Sequence, residues 1–539
     1  MLKFKALLAA TAAVLATPAM AADWHLAKTE HFTIYSEDSR EATVEFAKEL
    51  ERLDEALRVI SGIGPAKSDT PESIKVTVFR FGETSDMAAL AGAAGSGIGG
   101  FFIPRASGAV AFVPTKRNTR RERGFQTEYD SSLDLDPKAT LMHEYVHYFM
   151  YQHADAPYPL WYSEGFAELF SNVQFNADHF VIGEVPPWRS PALATIKVDL
   201  DKTFDPPAKG DGDTVGRTYA HGWLIASHLN LKAERRGQIT KYLRAVADGK
   251  QPMEAAQLAF GDLGKLTSEL EAFRKGRAFL LKVPYAQKVE PEVEISTLAP
   301  DEAARMPIMI QAKRGVNEDQ AKKLVGTARN LVERYPTSAA VLLAATEAEF
   351  DARNFDAAEE LADRVLAIDP KSVDAAIYRA QVDLMRSRED PAKLAEARRE
   401  FIAANNMAND HAFPLYGYYL THLFDPNVTT VPDSAKAALQ DSFMYAPFDQ
   451  GVRRALIHML LTEDRTAEAR VVGASYLAGK GGQACMLRKK FEAFEKGDKA
   501  ALLEEVKPEH PAIYRDEAAQ KAEREKVREE IKSYGCEVS

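Results

Sequence analysis

"LMHEYVHYFM", residues 141–150, places His143 and His147 four residues apart, with Glu144 directly after the first. On a helix, positions i and i+4 share a face one turn apart, so both imidazoles can reach a single ion. The alternative is an amphipathic helix that merely carries two histidines. Helix-start chemistry precedes the stretch: in "DPKATLMHEYVHYFMYQH" (136–153), Asp136 is an N-cap and Pro137 stands at the first helical position. Leu141, Met142, Val146, Phe149 and Met150 make the helix apolar and therefore buried. Two buried histidines and a glutamate need partners, because unpaired buried polar groups are costly. A metal ion would supply one.

A catalytic zinc takes three protein ligands and keeps one position open. "LWYSEGFAELF" (160–170), the next helix, offers Glu164 and Glu168, again at i and i+4, and Gly165 permits close helix packing. Glu144, beside the first histidine, suits a base that deprotonates water at a metal. Tyr219 and His221, in "TYAHGW", are candidates to steady a developing oxyanion, or else ordinary packed residues on an apolar helix.

"HEYVH" followed by "WYSEGFAEL" resembles the gluzincin metallopeptidases, the thermolysin and aminopeptidase superfamily. The resemblance implies one Zn²⁺ per chain held by His143, His147 and Glu164. It also implies that Glu144 is the general base and that Glu168 orients a zinc-bound histidine from behind. Of the oxyanion candidates, Tyr219 is preferred. Sixteen residues separate His147 from Glu164, slightly fewer than in the better-known gluzincins. The G-x-M-E-N signature of the aminopeptidase branch is missing, which argues against recognition of an N-terminal amine. Over about 24–280 the chain is also similar to bacterial exported proteins described as peptidase-MA-like.

Upstream of the motif, strand-like and helix-like segments alternate. "HFTIYS" (31–36) and "IKVTVFRF" (74–81) read as strands, while "GGFFIP" (99–104) and "GAVAFVP" (108–114) read as a strand pair. An edge strand there could pair with an extended peptide, or the pair could be an ordinary internal hairpin. Residues 40–62 read as a helix with Phe46, Leu50, Leu53, Leu57 and Ile60 on one face, stopped by Gly62 and Gly64. "TKRNTRRERGFQ" (115–126) is a basic, polar loop.

Beyond about residue 300 the chain is helical and alanine-rich. "NFDAAEELADRVLAIDP" (354–370) resembles the second helix of a tetratricopeptide repeat, with Ala358 and Pro370 at that family's spacing. Ala435 and Pro447 repeat the interval, and Ala469 follows Ala435 by 34 residues. The likeness covers about 300–480, and the stretch around 385–430 needs extra residues. Helical hairpins of this kind bury their faces only by stacking into a superhelix. "RDEAAQKAEREKVREEIKS" (515–533) is charged nearly all round and reads as a solvated capping helix.

Length and composition agree with a multidomain globular protein: 539 residues, 46% hydrophobic and 27% charged. A net charge of −11 argues against nucleic-acid binding. Lys3, Lys5, the apolar run from Ala6 to Ala16, Pro18 and Ala19-Met20-Ala21 form a secretory signal peptide cleaved near Ala21. That run is much shorter than the ~20 residues of a membrane span. In an oxidising compartment Cys485 and Cys536 can pair and close the end of the chain; two free thiols are the alternative.

The expected architecture is α+β. A signal peptide (1–21) precedes a thermolysin-like zincin domain (22–285) with a small mixed sheet and active-site helices. A linker (286–300) and an all-α tetratricopeptide-like superhelix with a charged C-terminal helix (301–539) follow. The expected function is exported, periplasmic or secreted, zinc-dependent hydrolysis of peptide bonds, with a peptide or protein substrate and a protein partner on the repeats. The alternative is a non-catalytic scaffold or assembly protein that acts through its repeats.

Overall fold

The structure, a computed structural model, describes residues 23–64, 70, 72–92, 99–116, 136–153, 158–206, 210–276, 279–286, 290–477, 481–513 and 517–538. The expected signal peptide, 1–21, lies outside the described residues, as does most of the basic loop. No helix among the described residues is long and apolar enough to cross a membrane.

The chain is mostly helical, with a small mixed sheet near its start. That sheet is built from β1 (His25–Lys28), β2 (Phe32–Ser36), β3 (Val76–Arg80), β4 (Phe101–Ile103), β5 (Val110–Val113) and a late strand. A separate three-stranded antiparallel sheet joins β6 (Gln174–Phe175), β7 (His179–Ile182) and β8 (Leu281–Pro284), and β9 (Glu294–Thr297) is the late strand of the first. In the large sheet the order is β4-β5-β3-β2-β1-β9. β2, β3 and β5 run parallel to one another, whereas β1 pairs antiparallel with β2, and β4 pairs antiparallel with β5, in the register Phe102 to Ala111, and forms one edge.

Alternation along these strands sends side chains to two faces. Phe32, Ile34, Val76, Val78, Ala111 and Val113 join one core with helix α1 (Arg40–Ser61). Phe79, Val110 and Phe112 turn the other way, onto Met87 and Leu90 of helix α2 (Thr84–Leu90). Helix α1 buries Phe46, Leu50, Leu53 and Leu57 as its periodicity predicts. Ser39 caps its start, and Gly62 ends it in the left-handed conformation that glycine adopts at least cost.

Helix α3 (Pro137–Gln152) packs on the first face of the sheet. Its N-cap is Asp136, whose carboxylate accepts the Lys138 and Ala139 N–H groups, with Pro137 at the first helical position. Helix α4 (Leu160–Ser171) packs against α3, and the helix Gly222–Leu231 packs against α4.

From Pro300 onward, five helical hairpins stack in chain order. They pair Pro300–Arg314 with Glu318–Arg334, Ala339–Asp351 with Phe355–Ile368, Val373–Arg386 with Lys393–Met407, Ala412–Leu423 with Asp433–Tyr445, and Gln450–Thr462 with Thr466–Val472. The second helix of every hairpin buries an alanine near its start: Ala321, Ala358, Ala397, Ala435 and Ala469 are all fully inaccessible. A small side chain at that point lets the paired helices approach closely. The extra length around 385–430 lies partly in the connection 424–432 of the fourth hairpin. Cys485 and Cys536 are disulfide-bonded, which ties the segment just after the charged helix Glu517–Ser533 to the helix Gly482–Glu495.

The stretch expected as a linker, 286–300, differs from that expectation. Glu294–Thr297 pairs antiparallel with β1 as the sixth strand of the sheet. The first repeat helix then lays Met306, Met309 and Ile310 on Phe79 and Phe112, covering the second face of the sheet. Apolar residues exposed on both faces of a sheet demand two covering layers, and the repeat array supplies one of them.

Candidate metal centre

Helices α3 and α4 bring three donor atoms together. Nε2 of His143 lies 3.1 Å from Nε2 of His147 and 3.1 Å from Oε2 of Glu164, and His147 Nε2 lies 3.4 Å from the same oxygen. Two ligands bound at ~2.0–2.1 Å to one tetrahedral zinc stand roughly 3.3 Å apart, so the three atoms are spaced as edges of such a site.

The outer nitrogens explain which lone pairs face inward. His143 Nδ1 is 3.2 Å from Oε1 of Glu168, which can only accept, so its N–H points there and Nε2 is left as a lone pair. Ser163 Oγ stands 3.1 Å from Nδ1 of His147 and can accept that N–H in the same way. Two imidazole lone pairs and a carboxylate then converge in a half-buried space, an arrangement that repels itself unless a cation sits among them.

A proton is the minimal cation, and the surrounding carboxylates favour one on His143. Burial works against a charged His143, yet its contacts with Glu164 and Glu168 outweigh this and raise it to about 9. Burial alone would raise Glu164, but the hydrogen bonds and charges of His143 and His147 hold it at about 2. The residues therefore fit a divalent metal whose positive charge replaces that proton.

Glu168 is fully buried and held below the ordinary carboxylate range against the cost of burial, by His143 and by Arg189. Arg189 Nη2 donates to Oε1 at 2.7 Å, and Trp188 Nε1 donates to Oε2 at 3.1 Å. Both donors follow β7, far from the motif in sequence, and "PPWRS" carries no signal that would have found them. Ser163, adjacent to Glu164, was equally unmarked.

Glu144 is half-buried and makes no hydrogen bond or ion pair to the described residues. It shares a helical stripe with Thr140 and Tyr148. That stripe meets β4: a Cβ on Gly100 would lie 3.7 Å from Thr140 Cγ2, and the Phe102 and Tyr148 rings are 5.4 Å apart. The base candidate therefore stands on the stripe of α3 that faces the edge strand, one residue along from the metal stripe.

Gly165 and Gly222 set the third wall. A Cβ on Gly165 would meet the Gly222 carbonyl carbon and oxygen at 2.2 Å, so the two helices cross backbone on backbone. Just before Gly222, Arg217–His221 form a wider π-helical turn, a distortion that recurs at functional sites. This turn sets the Tyr219 ring 6.0 Å from that of His143, and the Arg189 guanidinium lies 4.5 Å from the centre of the Tyr219 ring. Burial and the Glu164 charge raise the Tyr219 hydroxyl to about 12, so it stays protonated. His221 is not part of this group. It is fully buried and its Nε2 lies 3.2 Å from the Ile196 carbonyl oxygen, so a packed role fits it.

No family model matches the chain, and no curated protein sequence matches it. Among solved structures it is similar to one titled "Functional Characterization of Pseudomonas Aeruginosa pilF", at 16% identity over 42% of this chain and 100% of that chain, with a TM-score of 0.30. A superposition that loose assigns neither fold nor function.

Proposed function

We propose that the chain is an exported zinc-dependent peptidase of the gluzincin type. The observation that carries this reading is the convergence of His143 Nε2, His147 Nε2 and Glu164 Oε2 at the spacing of tetrahedral zinc ligands. Zinc held there would supply Lewis acidity to a substrate carbonyl and to water. Glu168, braced by Arg189 and Trp188, keeps the His143 ring in the tautomer that presents Nε2. Glu144, free of competing partners among the described residues, takes a proton from water and passes it to the leaving amine nitrogen. Tyr219, protonated at neutral pH, donates its O–H to the carbonyl oxygen as charge develops on it.

The substrate class follows from β4. It is the outer strand of the sheet and lies against the Glu144 stripe, so an extended peptide added to that edge would run past the base candidate. The Cys485–Cys536 disulfide supports work in an oxidising compartment, the periplasm or outside the cell.

A second reading, a scaffold acting through its tetratricopeptide-like repeats, is favoured by one observation: five stacked hairpins make up much of the chain and share a core with the sheet. Glu144→Gln separates the two. The peptidase reading expects zinc retained and casein hydrolysis reduced by about 10²–10⁴-fold. Unchanged hydrolysis, or loss of the metal in this variant, would contradict the assigned role. Partner capture that survives chelation, with no hydrolysis by the native chain, would favour the scaffold.

A further inference from the structure

The superhelix reaches back to the site at points far apart in sequence. The turn between β4 and β5 inserts Arg105 into the first hairpin, where its guanidinium donates to the carbonyl oxygens of Lys313 and Arg314, each at 3.1 Å. Gly315 makes room for it: a Cβ there would lie 2.8 Å from Arg105 Nη2. The next residue, Ala106, donates its N–H to Asp449 Oδ2 at 2.8 Å. Asp449 is the N-cap of the fifth hairpin's first helix, and its other oxygen accepts the Val452 N–H at 2.9 Å. Two consecutive residues of one turn are thus gripped by the first hairpin and by the fifth.

The metal-site helix is held from the same side. Tyr148, next to His147, has Phe102 of β4 at 5.4 Å and Phe448 of the repeat array at 5.1 Å. Its hydroxyl donates to the Ile74 carbonyl oxygen at 2.8 Å, and the neighbouring Ser73 donates to the Asp410 carbonyl oxygen at 3.1 Å. Strand, metal helix and superhelix therefore share one column of rings.

From these contacts we infer that the repeat array is a positioning element of the site: it clamps the β4–β5 turn so that the β4 edge stands at a fixed height over Glu144. This rests on the peptidase reading for its catalytic consequence, though not for the clamp itself. β4 pairs with β5 over only three residues, so its own ladder contributes little to fixing its place. Arg105 and Asp449 are positioning residues, and neither touches the metal ligands.

The test uses the full chain with Arg105→Ala and, separately, Asp449→Ser, which keeps a capping oxygen for Val452 but is too short for Ala106. Three quantities are read: amide hydrogen exchange over 101–113, zinc stoichiometry, and KM and kcat on quenched fluorescent casein. The expected result is exchange at 101–103 faster by about tenfold and KM raised by about tenfold, with kcat within about twofold and zinc unchanged, since displacement by ~1 Å costs up to 10²-fold. Exchange equal to the native chain overturns the clamp. So does a parallel fall of zinc content and thermal midpoint, which would mark general destabilisation. A native chain that binds zinc without turnover refutes the peptidase reading, and exchange alone then decides the clamp.

Discussion

Replacing Gly165 by alanine tests whether the helix crossing, and not only the ligand residues, makes the site. The new Cβ would stand 2.2 Å from the Gly222 carbonyl carbon and oxygen, roughly 1.3 Å short of the ~3.5 Å at which such atoms meet. The obstacle is backbone at the buried junction of the π-helical turn and the helix Gly222–Leu231, so no side chain can rotate aside. Helices α4 and Gly222–Leu231 must separate, and the neighbouring Glu164 and Tyr219 move with them. Overpacking of this kind costs about 1–3 kcal/mol, while alanine returns up to about 1 kcal/mol of helix propensity. With the full propensity gain, a net loss of about 0–2 kcal/mol follows. A displaced Glu164 should also weaken zinc by about tenfold or more, because ligand spacing tolerates only tenths of an ångström. Urea denaturation and competition with a chromogenic chelator measure the two effects. A variant as stable as the native chain, with native zinc affinity, would refute the reasoning.

Three further outcomes are expected. In chelated protein, Glu164 is held at about 2 and His143 at about 9. The Glu164 contribution is present above its unfolded value of ~4.3 and lost as pH falls, whereas that of His143 is present below ~6.5 and lost as pH rises through 9. Urea midpoints of the chelated chain should therefore peak between about pH 4.3 and 6.5, and a profile flat from there to pH 9 would contradict the pairing. Replacing Cys485 and Cys536 by serine reopens a loop of 51 residues and should cost up to about 4 kcal/mol in the C-terminal cap, read as earlier proteolysis of the terminal helix. Asp54→Ala removes the buried acceptor of the Tyr145 hydroxyl and the partner of Arg58, linking α1 to α3, and should cost about 3 kcal/mol or more; unchanged thermal unfolding would show the network to be dispensable.

Much of the site was legible because helical spacing is strict. His143, His147 and Glu164 each sit on a helix whose start and periodicity the sequence displays, and the structure brings their donor atoms together. Glu168 was readable by the same one-turn rule, and it meets His143. Arg189, Trp188 and Ser163 were not readable: they reach the cluster through loop geometry or a bare adjacency, and neither leaves a periodic trace. For His221, of the two alternatives the sequence leaves open, the structure favours packing: the turn carries it against Ile196. The repeat alanines gave the hairpins away, since only a small side chain fits the crossing. The join at 286–300 was hidden because four residues of β9 are too few to announce a strand, and their pairing with β1 spans most of the first half of the chain.

The most direct test of the central claim is the metal content, by mass spectrometry, of the full chain purified under zinc-replete conditions, beside Glu164→Ala. The account predicts one zinc per chain in the native protein and its loss in the variant. A native chain that carries no metal, or a variant that keeps it, would contradict the three-ligand site.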